Sequence, residues 1–505
     1  MKRRFVKYVI LSIILLLAAC GKKADYAIVI PKDASIVATF DFQRIFTESG
    51  LLAKENNQAK RTFVESFEKN GAEVESIEKF LKNPTEMGID FNQKAFAFTH
   101  AQTNSTAMVF PVADKDKLKS AFLSFTNLVG DAETFVEEDG YSWAFGYSLC
   151  IAMNDELCVI VHNVDENKES LKHIVATWLT HEQEASFLSS KYFDDLQNLK
   201  GEVGVFASNT GLPVDMSKLS NFISSDKFDL SDVSHLVDFS FEKGRIVVDS
   251  RILYKDSKLR DWLSKQFTSS KKLNAKSLAK LPKNTPFWFA IGIDGKSLYD
   301  FLLEHPTYGK QVKNLNYAFD FEDAVCSIEG DCALAYPYGL FLDVKNDEIL
   351  RICVRTIGSL GRLVGLRLGE KQNNQYELID DSHLLKRWLN LDVNLNMGMK
   401  DDTFYLMATK DSCSKLSNEN TLASAPWASD VKGNLLFFMV NFQGENKLLD
   451  EYIYSRKSGK LIENYLSYVS YSQKDIKFNR IVVAFKNQQL NALQQMMDML
   501  AFEFN

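Results

Sequence analysis

Cysteines, histidines and adjacent carboxylates are the side chains of this chain that could do chemistry, and their spacing decides which chemistry it would be. Cys150 and Cys158 lie symmetrically about Asn154-Asp155, a turn pair between two apolar runs, so they could face each other across a hairpin. Cys326 and Cys332 are separated by five residues, and Cys353 and Cys413 stand alone. Structural zinc wants a tight Cys pair or close histidine partners; neither occurs, so no metal site is expected. Two states stay open: buried free thiols, or one or more disulfides, with Cys150, Cys158, Cys326 and Cys332 as the candidates.

The histidines are dispersed. The nearest pair, His173 and His181, is eight residues apart, which on one helix is about 12 Å and too far to share a metal. No H-E-x-x-H or G-x-S-x-G occurs, and no S-x-x-K block has a catalytic context. Gly358 to Gly365 is a glycine-spaced stretch after an expected strand, Ile349 to Thr356. It matches neither phosphate-binding fingerprint, so a turn or a close-packed helix start is expected there. Glu137-Glu138-Asp139, Asp380-Asp381 and Asp401-Asp402 are acidic clusters in expected turns. Glycoside hydrolysis needs carboxylates that meet across space, so neighbours in a turn are expected to be solvated. Tyr336-Pro337-Tyr338-Gly339 could stack on a sugar, but a surface turn with half-buried aromatics is the expectation. No catalytic residue and no cofactor are read from these patterns.

One cysteine is different. Lys2, Arg3, Arg4 and Lys7 precede an apolar run from Tyr8 to Leu17, and Leu17-Ala18-Ala19-Cys20 follows at once. The run falls short of the ~20 residues of a membrane span and suits a signal peptide. The small residues at 18 and 19 and the thiol at 20 resemble the bacterial lipobox, which implies cleavage before Cys20 and a diacylglycerol on its sulfur. Proteins of that kind carry two or three palmitate-class chains. A single chain anchors only marginally, each buried methylene contributing about 0.8 kcal/mol, so several would anchor stably. Residues 1–19 are thus expected to be a signal peptide and 20–25 a lipidated tether. Gly21 to Asp25 reach about 18 Å at most.

Removing residues 1–19 takes four cations away and turns the formal charge of −7 into −11. An acidic chain without a long basic block is a poor fit for nucleic acid, and anionic lipid heads should repel it, so the acyl chains must do the anchoring. Hydrophobic residues at 46% and charged residues at 25% are ordinary for a globular protein, and the length implies at least two domains. The 37 phenylalanines are expected to fill sheets and helix faces.

Four landmarks recur in order, as a duplication requires. Ile30-Pro31-Lys32-Asp33-Ala34 leads into the strand Ile36 to Phe40; Leu281-Pro282-Lys283-Asn284-Thr285 leads into Phe287 to Ile291, an offset of 251. A hairpin over Leu149 to Val161 corresponds to one in which Leu391, Val393, Leu395, Met397 and Met399 alternate before Phe404 to Ala408, an offset of about 246. Gly201 to Phe206 corresponds to Gly433 to Phe438, offset 232, and Arg245-Ile246-Val247-Val248 to Arg480-Ile481-Val482-Val483, offset 235. A closing helix follows each fourth landmark, carried by Leu259, Trp262, Leu263 and Phe267 and by Leu490, Leu493, Met496, Met497 and Leu500. Phe63 with Phe67, Ile77 with Phe80 and Leu81, and Leu171 with Ile174, Val175 and Trp178 mark further helices. Hairpins beside scattered helices read as α+β, in two tandem, diverged copies of a mainly antiparallel sheet with helices, over 26–275 and 276–505.

The opening Ile30-Pro31-Lys32-Asp33-Ala34, running into a strand that ends Phe40-Asp41, resembles a lipoprotein family of the Bacteroides group known only as a domain of unknown function. The resemblance implies a lipoprotein and supplies no activity or site residues; Gly21-Lys22-Lys23-Ala24, without the acidic residues that some bacteria place after the lipidated cysteine to route a lipoprotein outward, points to the periplasmic face of the outer membrane. The expectation is a non-catalytic binding or scaffolding protein, held to the membrane through Cys20 and meeting an envelope protein, peptide or glycan. The alternative is an envelope hydrolase of glycan or peptide with dispersed catalytic residues. A cluster of strongly perturbed acids or histidines would favour the enzyme, a broad exposed apolar patch the binder, and a long dry cavity a lipid carrier.

Overall fold

The computed structural model describes residues 25–53, 57–69, 74–124, 134–146, 148–163, 167–208, 233–255, 257–266, 269–305, 308–337, 339–371, 374–383, 395–408, 420–443 and 457–504. Among them the chain is α+β and its strand pairs are antiparallel. It divides into two compact units. Unit 1 holds the described residues up to Phe241 together with those from Met496 onward; unit 2 holds Glu242–Gln495.

The strands of unit 1 are β1 (Ile36–Phe40), β2 (Ala95–His100), β3 (Ser105–Pro111), β4 (Val136–Glu138), β5 (Tyr141–Phe145), β6 (Leu149–Met153), β7 (Leu157–His162), β8 (Val203–Ser208) and β9 (Val233–Glu242). Its helices are α1 (Phe42–Glu48), α2 (Gln58–Lys69), α3 (Val74–Lys82), α4 (Lys115–Ser124), α5 (Lys168–Thr180) and α6 (Phe193–Gln197). The spatial order is β4-β5-β6-β7-β3-β2-β1-β8-β9.

In unit 2 the strands are β10 (Arg245–Tyr254), β11 (Phe287–Asp294), β12 (Ile328–Tyr336), β13 (Gly339–Val344), β14 (Leu366–Lys371), β15 (Gln375–Asp380), β16 (Leu395–Lys400), β17 (Thr403–Ala408), β18 (Leu436–Asn441), β19 (Leu466–Gln473) and β20 (Phe478–Phe485). The helices are α7 (Ser257–Gln266), α8 (Gly295–Glu304), α9 (Gly309–Phe319), α10 (Phe321–Ser327), α11 (Glu348–Leu360) and α12 (Lys457–Tyr465), and α13 (Ala492–Phe504) closes the chain. The order β14-β15-β16-β17-β13-β12-β11-β18-β19 repeats that of unit 1, ten strand numbers on, and continues to β20 and β10.

The repeated landmarks make repeated contacts. The carbonyl of Ile30 accepts from the Phe187 amide at 2.8 Å, and that of Leu281 from the Leu422 amide at 2.9 Å. Pro31 and Pro282, having no amide hydrogen, sit at isolated bridges to Ser186 and Thr421. Alternation then puts Val37 in the core of unit 1, and Trp288 with Ala290 in that of unit 2, where Trp288 lies 5.9 Å from Phe437.

The division in space is distinct from the repeats read in sequence: the compact units divide at Phe241/Glu242. β10 pairs along its length with β20, Val247 opposite its own counterpart Val482, and Leu273 and Leu278 are buried in the unit 2 core, which draws residues 242–275 into that unit. One expectation changes: Ile349 to Thr356 is no strand but the middle of α11. Its β-branched residues suggest a strand, yet Leu350, Cys353, Val354 and Ile357 share one helical face and pack on Leu342, Met397 and Phe404. A counterpart to α5 after the second hairpin would fall on 409–419, outside the described residues.

Candidate functional site

β1 ends at Phe40, and Asp41 caps the next helix by accepting the Arg44 amide at 3.0 Å. The cap directs Phe42 and Phe46, one helical turn apart, along the same side of α1. Phe42 stacks with Phe40 at 5.8 Å, Phe46 at 5.7 Å and Phe110 of β3 at 6.2 Å. Phe46 meets Phe80 of α3 and Phe91 edge-on, at 5.4 and 5.8 Å. The opposite wall is set by Gly88, whose φ of +75° favours glycine and where a Cβ would fall 2.2 Å from the Asp114 carbonyl. That close approach brings Met87, Ile89 and Phe91 up to Leu118, Ala121 and Phe122 of α4.

Together with Phe63, Ile77 and Ile160, the side chains of Phe42, Phe46, Phe80, Phe110, Met87, Ile89, Phe91 and those on α4 line a partly open cavity of ≈ 300 Å³ with no polar atom at its surface. A pocket of ~150 Å³ lined by Leu, Ile and Phe stays dry and takes benzene, so this space suits a longer hydrocarbon. Ile77 and Phe80 are backed by Leu51, Leu81 and Met497, so the C-terminal helix completes the same wall. No side chain at the cavity can act as acid, base or nucleophile; the arrangement can sequester apolar matter and exclude water.

The sequence-flagged residues lie elsewhere. Cys20 and Cys413 fall outside the described residues. Cys150, Cys158, Cys326, Cys332 and Cys353 are free thiols. The expected facing of Cys150 and Cys158 is corrected by register: Cys150 stands opposite Val161 and Cys158 opposite Met153, so the two thiols point to opposite faces of the sheet. Burial pushes Cys150 up to about 12, Cys332 to about 11, and Cys158 well above the usual thiol range. His173 is exposed on α5, and the His181 ring bonds to the Ile28 carbonyl. No group of three His, Cys, Asp or Glu among the described residues could hold a metal. Glu137 pairs with Lys119 and Lys115, Asp381 with Arg367, and Asp401 sits in the β16–β17 turn with φ +54°. Gly361 begins a short turn after α11 that ends at Gly365, so no phosphate cradle forms. Tyr336 and Pro337 turn β12 into β13, and Tyr338 lies outside the described residues.

One buried acidic pair was not singled out. Asp331 and Asp343 are buried side by side on β12 and β13, and burial raises Asp331 above the usual carboxylate range. Both oxygens of Asp331 accept backbone amides, from Asn274 at 2.9 Å and Ala275 at 2.7 Å. Those of Asp343 accept from the Asn274 amide group at 2.6 Å and the Thr403 hydroxyl at 3.1 Å. Three of these bonds, including the one from the Asn274 side-chain amide, hold the 274–275 turn, where Ala275 has φ +65°, and the fourth ties Asp343 to β17.

The cavity residues were missed because each phenylalanine alone reads as core. The available signal was density: thirteen lie between positions 40 and 135, and four in the span 291–386 that the 251 offset makes equivalent.

Residues 26–493 match the family described as Domain of unknown function (DUF4836). The chain belongs to the DUF4836 family. This DUF4836 chain is also similar to solved structures of crystal forms IV, I and III of TP0453. Identities are 8, 6 and 7%, with 45, 50 and 48% of this chain covered and 78, 88 and 87% of the other, at TM-scores of 0.27, 0.27 and 0.26. No curated protein matches the DUF4836 chain. Among its described residues no helix is long and apolar enough to cross a membrane.

Proposed function

We propose that this protein is a lipid-anchored, non-catalytic binding protein of the cell envelope that takes the hydrocarbon part of a ligand, an acyl chain, in the unit 1 cavity. The carrying observation is the lining: thirteen residues, seven of them phenylalanines, and no polar surface. A glycan or peptide there would leave its polar groups without partners, at roughly 1–3 kcal/mol each. The Leu17-Ala18-Ala19-Cys20 run supplies the anchor, and Gly21-Lys22-Lys23-Ala24, without the acidic residues after the lipidated cysteine that route some lipoproteins outward, supports the periplasmic face of the outer membrane.

Binding is tested with cis-parinaric acid. Its fluorescence should rise on mixing with the protein and fall when palmitate is added. Ala121→Trp, which fills the cavity from α4, should weaken binding at least tenfold without lowering the melting temperature. No fluorescence gain, or equal binding by the variant, overturns the ligand. The anchor is tested by the intact mass of protein extracted from membranes; residues 1–19 still attached, or an unmodified thiol at Cys20, overturns it.

A further inference from the structure

The turn after α11 carries three aliphatic side chains out into water. Leu363 is 82% exposed, Val364 48% and Leu360 46%. Soluble surfaces expose single leucines freely, but three within five residues form a patch that calls for a partner. The turn is braced. A Cβ at Gly361 would lie 2.7 Å from the Leu366 carbonyl, and Gly365 takes φ +78°. The Ser382 hydroxyl donates to the Val364 carbonyl at 2.9 Å, and the Asp381 amide to the Gly365 carbonyl at 2.9 Å. The backbone therefore holds the apolar side chains outward.

The surrounding charge selects the partner. Four arginines, 351, 355, 362 and 367, lie on α11, the turn and β14, in a chain whose formal charge is −7. Three are answered by carboxylates: Arg351 by Asp347 and Glu348, Arg355 by Asp320 and Arg367 by Asp381. Arg362, beside Leu363, is exposed and takes no carboxylate among the described residues. Three aliphatic side chains on a tight turn, with no aromatic anchor, are too small for a protein interface of roughly 800 Å² per partner. They suit shallow insertion into a bilayer whose anionic heads meet a cation.

We infer that the Leu360–Val364 turn of unit 2 is a membrane-contact tip that inserts into the head-group region of an anionic bilayer. The tip stands on its own exposure and charge, independently of the lipid on Cys20 and of the cavity in unit 1. It gives a net-acidic chain a local docking point for the lipid surface that its overall charge opposes.

The test is flotation of residues 20–505, which contain every described residue, carrying Cys20→Ser so that no acyl chain contributes. Vesicles are of phosphatidylcholine alone or with one third phosphatidylglycerol. The protein should float with the anionic vesicles and not with the neutral ones, and high salt should reduce flotation. Leu363→Asp should lower partitioning at least tenfold, and Arg362→Ala about fivefold. Thermal melts of both variants should match the parent, since both side chains are solvent-exposed. Failure of the parent to float, equal flotation of Leu363→Asp, or equal binding to neutral vesicles overturns the tip. Loss of cis-parinaric acid binding by Ala121→Trp with flotation unchanged would separate the two sites.

Discussion

The two copies share a strand order, yet the layer of helices that follows their first strand is built differently in each. After β1, the capping aspartate Asp41 is followed by Phe42; after β11, the capping aspartate Asp294 is followed by Gly295. Phe42 puts a ring between α1 and the sheet and borders the cavity. Gly295 does the opposite. It lets the backbone of α8 come so close that a Cβ would fall 1.9 Å from the Val325 carbonyl and 2.7 Å from that of Ile328. There Tyr299, Val312 and Val325 are buried against Leu298, Leu302 and Cys326. One position thus separates a propped layer from a close-packed one. The fold does not demand a cavity; the aromatic content of the first copy makes it.

The largest expected effect comes from reversing the close packing. Gly295→Ala drives a methyl group into two backbone oxygens that cannot swing aside, and should cost about 3 kcal/mol, at the upper end of overpacking. The check is the urea midpoint; an unchanged midpoint would mean that α8 and α10 are not in contact. The mirror experiment is Phe42→Ala. Removing a well-packed phenylalanine costs about 3–5 kcal/mol, but this ring already borders empty space, so about 2 kcal/mol is expected. A loss near 5 kcal/mol would show a ring packed on all sides and would undo the contrast with Gly295.

Much of this difference was hidden from the sequence for a physical reason. Strand periodicity reports one face of one element, so β1, β6, β7, β11 and β17 were legible, and Pro31 and Pro282 marked where each copy opens. The helices near Phe63, Ile77 and Trp178 were legible from their spacing. α11 was not, because its Ile and Val residues have strand propensity and only packing shows them on a helical face. The cavity is harder still. It depends on what fails to fill a volume between four helices and a sheet, and no local pattern records that. Register parity, likewise, and not spacing about Asn154, decides that Cys150 and Cys158 cannot meet.

The smallest effect tests how each copy pins the helix that follows its third strand. In the first copy α4 is tied to the sheet edge by charge: Glu137 of β4 takes Lys119 and, at 3.7 Å, Lys115, with the Ser142 hydroxyl donating at 2.6 Å. In the second, α11 meets its edge through Ile357 packed against Leu366 and Leu368. Lys119 first and Ser142 second hold the Glu137 carboxyl down to about 2, against an ordinary 4.5. The folded state therefore favours the ionised form. The stabilisation is complete above about 4.5 and is lost as the pH falls toward about 2. Glu137 is largely exposed, so water and salt screen it, and Glu137→Gln should cost about 0.5 kcal/mol or less at neutral pH in low salt. Urea melts of the two proteins should converge as acid is added, and converge likewise in high salt. A gap that persists at low pH would place the stabilisation in the shape of the side chain and not in its charge, and acid would then no longer distinguish the two copies.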